Sequence, residues 1–136
     1  MSAAADRAQR LAAARAAKEA LEQARAARAE EREAELLELE LRLEKELGPR
    51  GVEFELLDTP DGPIALKRGE GVLHTAFQGS KFTEADMFNY VFPCVVHPDK
   101  EAFKKMVAVR PALHLRCANA LSALFGAKVR DDAGKF

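Results

Sequence analysis

Large hydrophobic side chains are scarce in the first part of the chain. Between Met1 and position 36, only Leu11 and Leu21 stand among alanines and charged residues, and the first 47 residues include neither glycine nor proline. Alanine, leucine, arginine, lysine and glutamate are the strongest helix formers. The sequence therefore predicts one helix over residues 2–47, ~70 Å long at a rise of ~1.5 Å per residue. The glycine and proline that follow are expected to end it.

The last turns of this helix carry a hydrophobic face. We call it the leucine stripe, and it consists of Leu36, Leu39, Leu43 and Leu47. The spacing of three or four residues places these side chains on one face, with Leu37 and Leu41 beside it. A strong coiled coil needs bulky residues over several heptads, and the segment before the stripe lacks them. We expect the stripe to pack on the protein's own domain or on a helix of a partner.

Alternation of apolar and polar residues marks the next elements. Residues 52–56 alternate and predict a half-buried strand, and residues 58–63 are dense in turn-forming types. Residues 64–67 predict the returning strand of a β-hairpin. Residues 72–77 fit either a third short strand or a helical turn.

Three helices are expected after the hairpin. Thr83 is a plausible N-cap for a helix over residues 84–92, with acidic residues in its first turn. The next proline interrupts a hydrophobic run that continues to residue 96, and it kinks or ends that helix. Asp99 is expected to cap a helix over residues 100–109, and a hydrophobic stripe over residues 113–124 predicts the last one.

The chain therefore divides into three parts. Residues 1–47 are expected to be a helical arm, residues 48–127 a small domain with a hairpin and three helices, and residues 128–136 a flexible polar tail. The fold class is α+β and predominantly helical. The 136 residues suffice for one modest domain in addition to the arm.

Charge is unevenly distributed along the arm. Residues 1–28 carry six basic and three acidic groups, a net charge of +3, whereas residues 29–47 carry three basic and eight acidic groups, a net charge of −5. This division favours antiparallel pairing with a second copy, and the alternative is that both parts are simply solvated. The whole chain has a net charge of −1, which argues against a dedicated nucleic-acid binder.

Compartment and membrane association follow from composition. The sequence has no run of 18 apolar residues, so a transmembrane helix is not expected. The N-terminus lacks the hydrophobic core of a signal peptide, so secretion is not expected either. Two cysteines are too few for a disulfide scaffold and fit a reducing cytoplasm.

Two cysteine–histidine pairs are candidate metal ligands. Cys94-x-x-His97 and His114-x-x-Cys117 are separated by sixteen residues, and two such pairs are the ligand set of a structural zinc site. The alternative, which we favour, is that both cysteines lie on hydrophobic stripes and behave as small hydrophobic residues. We assign no catalytic residue and no cofactor, since acidic residues are explained by turns and caps and a phosphate-binding loop is absent. The sequence therefore predicts a protein that is not an enzyme.

Residues 90–99, Tyr-Val-Phe-Pro-Cys-Val-Val-His-Pro-Asp, carry a resemblance to a known family. They resemble a segment of the tail assembly chaperones of long-tailed bacteriophages, in which a hydrophobic helix runs into Cys-Val-Val, an aromatic residue or histidine, and Pro-Asp. The following helices and the preceding hairpin are similar as well, so the resemblance covers roughly residues 52–126. The alanine-rich arm departs from the compact pattern of that family.

The resemblance implies a function in assembly. Such chaperones bind the long helical tape measure protein, keep it soluble while the tail tube polymerises, and are then shed. It implies a protein partner and a place in the host cytoplasm or, for a retained protein, in the virion. The candidate partner-binding residues are the leucine stripe and, as a second surface, Phe88, Val91 and Phe92. The alternatives are a structural component retained in a tail or other assembly, with the arm locking subunits, and a small zinc-stapled interaction module.

Overall fold

The structure, a computed structural model, describes residues 2–126, so the predicted tail over residues 128–136 lies outside the described residues. The described helices are α1 (Ala3–Leu47), α2 (Gly71–Gln78), α3 (Glu84–Val91), α4 (Lys100–Val109) and α5 (Leu113–Leu124). The strands are β1 (Phe54–Thr59), β2 (Gly62–Lys67) and β3 (Val95–His97), and a 3₁₀ turn spans Phe92–Cys94. The fold is α+β and predominantly helical, as the sequence predicts.

Contacts divide the chain within α1. One unit ends at Glu35 and the other begins at Leu36, so the division falls earlier than the boundary expected after residue 47. We call residues 2–35 the front segment and the helical residues Leu36–Leu47 the rear segment. The rear segment belongs to the second unit because its leucines pack there.

The front segment is helical throughout from Ala3. Its start is capped by Ser2, whose hydroxyl accepts a hydrogen bond from the backbone N–H of Ala5 at 3.1 Å. Such a cap satisfies one of the amide groups that the first turn leaves without a partner. Asp6 lies in the first turn, where the helix dipole favours a negative charge. All residues of the front segment are exposed.

The hairpin has the antiparallel register expected for a two-residue connection. Pairing runs from Phe54 with Lys67 to Thr59 with Gly62. The Thr59 hydroxyl donates a hydrogen bond to the Gly62 carbonyl at 2.6 Å, which closes the turn. Gly62 adopts a φ of +121°, a conformation that side-chain-bearing residues rarely adopt.

Strand β3 completes a sheet of order β1-β2-β3 and was not predicted. It pairs antiparallel with β2, with Ala65 opposite His97 and Leu66 opposite Val95. Pro93 cannot continue helix α3, and the β-branched Val95 and Val96 then favour an extended backbone. The interrupted hydrophobic run is therefore a helix end, a 3₁₀ turn and a short strand.

The sheet has a hydrophobic cluster on each face. On one face Ile64 and Leu66 pack with residues of α2 to α5. On the other face Ala65 packs with Phe54, Leu56 and two leucines of the rear segment. The alternation of side chains along β2 separates the two clusters, since neighbouring residues of a strand point to opposite faces. Pro63 through Leu66 are therefore all buried.

The predicted caps are confirmed. The Thr83 hydroxyl accepts from the Asp86 N–H at 3.1 Å, and the Asp86 carboxylate accepts from the Thr83 N–H at 3.1 Å, which is a reciprocal capping box. The Asp99 carboxylate accepts from the Ala102 N–H at 2.9 Å. The ambiguous residues 72–77 are helical and lie within α2, so four described α-helices follow the hairpin where three were expected.

Candidate protein-interaction surfaces

The leucine stripe is divided between buried and partly buried positions. Leu39 and Leu43 keep only 6% and 2% of their surface exposed and pack on Phe54 and Leu56. Leu36 and Leu47 are half-buried, and Leu47 packs at the edge of the same cluster. The stripe thus packs on the protein's own domain, one of the two outcomes that the sequence left open. Leu39 and Leu43 are not available to a partner while this packing holds.

The exposed hydrophobic residues of the rear segment are Leu37 and Leu41. They keep 53% and 60% of their surface exposed. Their spacing of four residues places them side by side on the helix, away from the buried pair. Glu38 and Glu44 lie on the same turns, so the exposed leucines stand in an acidic surface. The sequence pattern places these two leucines beside the stripe. Their exposure could not be predicted, because it depends on which face of the helix packs on the sheet.

The second candidate surface keeps two of its three residues at the surface. Val91 is fully buried in the larger cluster, whereas Phe88 and Phe92 are half-buried. The rings of Phe88 and Phe92 stack with centroids 4.6 Å apart. The ammonium groups of Lys100 and Lys104 lie 5.0 and 5.3 Å from the Phe92 centroid, within the range of a cation–π interaction. The result is a small aromatic surface flanked by positive charge.

The four candidate zinc ligands do not form a metal site. No cluster of three or more potential ligands occurs among residues 2–126. Cys94 is buried, and its thiol donates to the Tyr90 carbonyl at 3.6 Å. Cys117 lies in the larger hydrophobic cluster, and burial raises the pKa of its thiol to about 12. Both cysteines therefore behave as small buried side chains, and a zinc-stapled module gains no support from Cys94, His97, His114 and Cys117.

His114 is the unusual member of that quartet. It is only 7% exposed, and neither ring nitrogen has a hydrogen-bond partner. Its ring lies edge-on to Phe88, with centroids 5.9 Å apart, and near Phe103. Burial lowers the pKa of His114, and the charge of Glu84 opposes that change. The imidazole is thus held neutral in an apolar environment, at a cost in stability.

A polar connection between three helices has no signal in the sequence. His74 Nδ1 of α2 lies 2.8 Å from the Tyr90 hydroxyl of α3, which lies 3.3 Å from the Ser122 hydroxyl of α5. The His74 ring stacks on Phe125 with centroids 4.3 Å apart. Burial raises the pKa of Tyr90, and the hydrogen bond with Ser122 opposes the rise. The connection satisfies polar groups within the core.

A small groove lies beside this connection, between α2 and α3. It has a volume of about 180 Å³ and is lined by Phe77, Tyr90 and Asp86 among others. The rings of Phe77 and Tyr90 stack with centroids 4.3 Å apart and fill its inner side. The groove is small compared with the roughly 300–1,000 Å³ of ordinary ligand pockets.

Comparison with known proteins gives no further identification: no family model matches the chain, and neither a curated protein nor a solved structure matches it. Among residues 2–126, no helix has the length and hydrophobicity that a membrane span requires. The front segment, the exposed Leu37–Leu41 pair and the Phe88–Phe92 pair are candidate surfaces for a protein partner.

Proposed function

We propose that this protein is a non-enzymatic assembly chaperone of the phage-tail type, which binds a long helical partner through α1. The observation that carries the proposal is the front segment, where every residue from Ser2 to Glu35 is exposed. A helix in a globular protein normally owes its stability to the packing of one hydrophobic face. The front segment has no such packing within its own unit, so another molecule is its proposed counterpart.

The composition of the front segment favours a helix that is formed before a partner binds. Its alanines, leucines and long charged residues all have high helix propensity. Opposite charges at helical spacing, such as Asp6 with Arg10 and Glu22 with Arg25, add a few tenths of a kcal/mol each, roughly 0.2–0.5 kcal/mol. A preformed helix loses less conformational entropy on binding than a disordered segment does.

The exposed leucine pair supplies the hydrophobic contact. Leu37 and Leu41 lie one turn apart on the same side of α1, beside glutamates. A helix that offers a hydrophobic stripe flanked by basic residues would complement both features. We therefore assign the first contact with a tape-measure-type helix to Leu37 and Leu41, in place of the buried Leu39 and Leu43.

Co-purification tests the proposal. The chain is co-expressed with the protein of the long reading frame nearest to its own gene, the position expected for a tape measure protein. We expect the client to become soluble and to co-purify with the chain. Leu37→Glu with Leu41→Glu should abolish co-purification, because charge replaces the hydrophobic contact.

A matched control separates contact from general surface chemistry. Val109 and Leu115 are as exposed as the leucine pair but lie on α4 and next to it on α5. Val109→Glu with Leu115→Glu should leave co-purification unchanged. An insoluble client with the unaltered chain, or equal losses in the two double variants, would contradict the proposal.

A structural role in the finished particle is the second candidate. The division of charge along the arm favours it, since a basic part and an acidic part let neighbouring subunits interlock. Mass spectrometry of purified particles separates the two candidates. A chaperone is absent from them, whereas a structural component is present at a fixed ratio to the tube subunits.

A further inference from the structure

Among residues 2–126, strand β1 forms one edge of the sheet, and an unprotected edge can pair with a strand of another molecule. The opposite edge strand, β3, is only three residues long and is followed by Pro98, which has no N–H to donate. Strand β1 has six residues and pairs along the whole length of β2. Because a long edge offers more backbone groups than a short one, β1 is the edge at which protection matters.

The register with β2 shows which residues of β1 direct their backbone groups toward this edge. Asp58 lies opposite Pro63, which has no N–H, so these two residues do not form a hydrogen-bonded pair. Hydrogen-bonded and non-hydrogen-bonded pairs alternate along an antiparallel ladder. Phe54, Leu56 and Asp58 therefore direct their N–H and C=O groups away from β2.

A side chain of β1 itself closes the middle of the edge. The Leu56 N–H donates a hydrogen bond to Glu55 Oε1 at 2.9 Å. The same carboxylate oxygen accepts from Arg50 Nε at 2.5 Å, and Arg50 also bonds to Glu40 of α1. Two contacts thus hold the Glu55 carboxylate in place. The Leu56 N–H is occupied and does not face another molecule as an unbonded donor.

Two carbonyl groups nearer the ends of the edge are occupied as well. The Arg116 guanidinium, on α5, donates to the Asp58 carbonyl at 3.4 Å. The Gly51 N–H donates to the Phe54 carbonyl at 2.8 Å, because the chain turns back on itself before β1. Gly51 adopts a φ of +87° at this turn, a conformation that favours glycine. The edge is therefore closed near both ends as well as in its middle.

A second copy of β1 would fit this edge if the edge were open. Two β1 strands running antiparallel would place Leu56 opposite Leu56, and Phe54 opposite Asp58. Residues of a hydrogen-bonded pair exchange both of their N–H···O bonds. Each bond in this arrangement would use the Leu56 N–H, the Asp58 carbonyl or the Phe54 carbonyl, and all three are occupied. We propose that these three contacts close β1 against pairing with the β1 strand of a second copy. The proposal concerns the second unit alone and does not depend on the proposed client.

A full-length variant with an opened edge tests the proposal. Glu55→Ala with Arg116→Ala removes both side chains that close the edge, and we call this chain the open-edge variant. We expect it to self-associate about tenfold more tightly than the unaltered chain in sedimentation equilibrium. The control, Glu101→Ala with Lys105→Ala, removes one exposed acidic and one exposed basic side chain of α4. It should associate as the unaltered chain does. Equal association of all three chains would overturn the proposal.

Hydrogen–deuterium exchange of the Leu56 amide locates the association. In the open-edge variant this amide should exchange fast at low concentration and slowly at high concentration, because a second β1 strand then accepts its hydrogen bond. The urea denaturation midpoint shows whether the second unit remains folded. Association without slower exchange of the Leu56 amide would mean that another surface joins the copies, and it would overturn the proposal.

Two single substitutions carry the same test with less change to the second unit. Glu55→Gln retains an oxygen that can accept from the Leu56 N–H, so the edge should stay closed. Glu55→Ala removes the acceptor, and we expect faster exchange of the Leu56 amide in the monomeric chain and tighter self-association. Equal exchange and equal association of these two variants would show that Glu55 does not close the edge.

Discussion

The front and rear segments of α1 differ in what stabilises them, although they belong to one continuous helix. In the rear segment Leu39 and Leu43 are buried against the sheet, and Arg50 bonds to Glu40 at 2.6 Å and to Glu55 at 2.5 Å. In the front segment every residue is exposed, so its helix is stabilised only by helix propensity and local charge pairs. This difference shows that helix formation and helix packing are separate properties of this sequence. The segment that forms a helix without packing is the one proposed to meet other molecules.

The largest expected effect comes from truncating a buried leucine of the rear segment. Leu43→Ala removes a side chain that is 2% exposed and leaves a cavity beside Phe54. We expect a loss of ~2–5 kcal/mol in the free energy of unfolding, measured by urea denaturation. The control is Leu41→Ala on the exposed side of the same turn, which should change it by less than ~0.5 kcal/mol. Equal losses of stability in both variants would contradict the assignment of a buried face and an exposed face to the rear segment.

Proline substitution compares the two segments directly. Proline in a helix interior costs ~3 kcal/mol. We expect Ala20→Pro to lower the helical circular dichroism signal without shifting the denaturation midpoint of the second unit. Arg42→Pro, also at an exposed position, should shift that midpoint strongly, because it interrupts the helix that packs on the sheet. A large midpoint shift with Ala20→Pro would show that the front segment supports the second unit.

The unpartnered histidine of the second unit should make that unit sensitive to acid. Burial lowers the pKa of His114 from its usual 6.5, so the unfolded chain takes up a proton at a higher pH than the native protein does. The free energy of unfolding is therefore retained above about pH 6.5 and falls as the pH decreases below it. We expect His114→Leu to remove this part of the pH dependence and to raise stability by ~1–3 kcal/mol.

Denaturation curves at a series of pH values check this expectation. His97→Leu is the comparison variant, since His97 is the half-buried histidine of β3. An unchanged acid sensitivity in His114→Leu would exclude His114 as its source.

The smallest expected effect concerns a helix cap. Thr83→Ala removes the hydroxyl that accepts from the Asp86 N–H, and we expect a loss of ~0.5–2 kcal/mol in the free energy of unfolding. Thr75→Ala, at an exposed position inside α2, is the matched control and should cost less. Both substitutions lie outside the front segment, and we expect the helical signal of that segment at low denaturant to be unchanged in both variants. Loss of that signal would mean that the helix of the front segment depends on the second unit, which would contradict the account.

Local signals in the sequence account for most elements of the fold. The absence of glycine and proline and the cap residues Thr83 and Asp99 each act within a few residues, so the sequence alone predicts their outcome. Alternation predicts the hairpin, but its strands are Phe54–Thr59 and Gly62–Lys67 in place of the expected residues 52–56 and 64–67. Strand β3 depends on pairing with β2, about thirty residues earlier, and no local pattern encodes that pairing. The hydrogen bonds from Tyr90 to His74 and Ser122 span 16 and 32 residues and escape prediction for the same reason.

The candidate interaction residues show where periodicity is insufficient. Spacing places Leu39 and Leu43 on one face and Leu37 and Leu41 beside it, but it does not tell which face meets the sheet. That choice follows from the hydrophobic surface of Phe54, Leu56 and Ala65 on β1 and β2. The sheet buries Leu39 and Leu43, and Leu37 and Leu41 stay exposed.

Hydrogen–deuterium exchange along α1, measured on the isolated chain at low concentration, tests the central claim most directly. The account predicts fast exchange of amides in residues 5–35, which fray without packing, and slow exchange of those in residues 39–47 of the same helix. Uniformly slow exchange along the whole of α1 at a concentration where the chain is monomeric would contradict it, because the front segment would then be held by its own molecule.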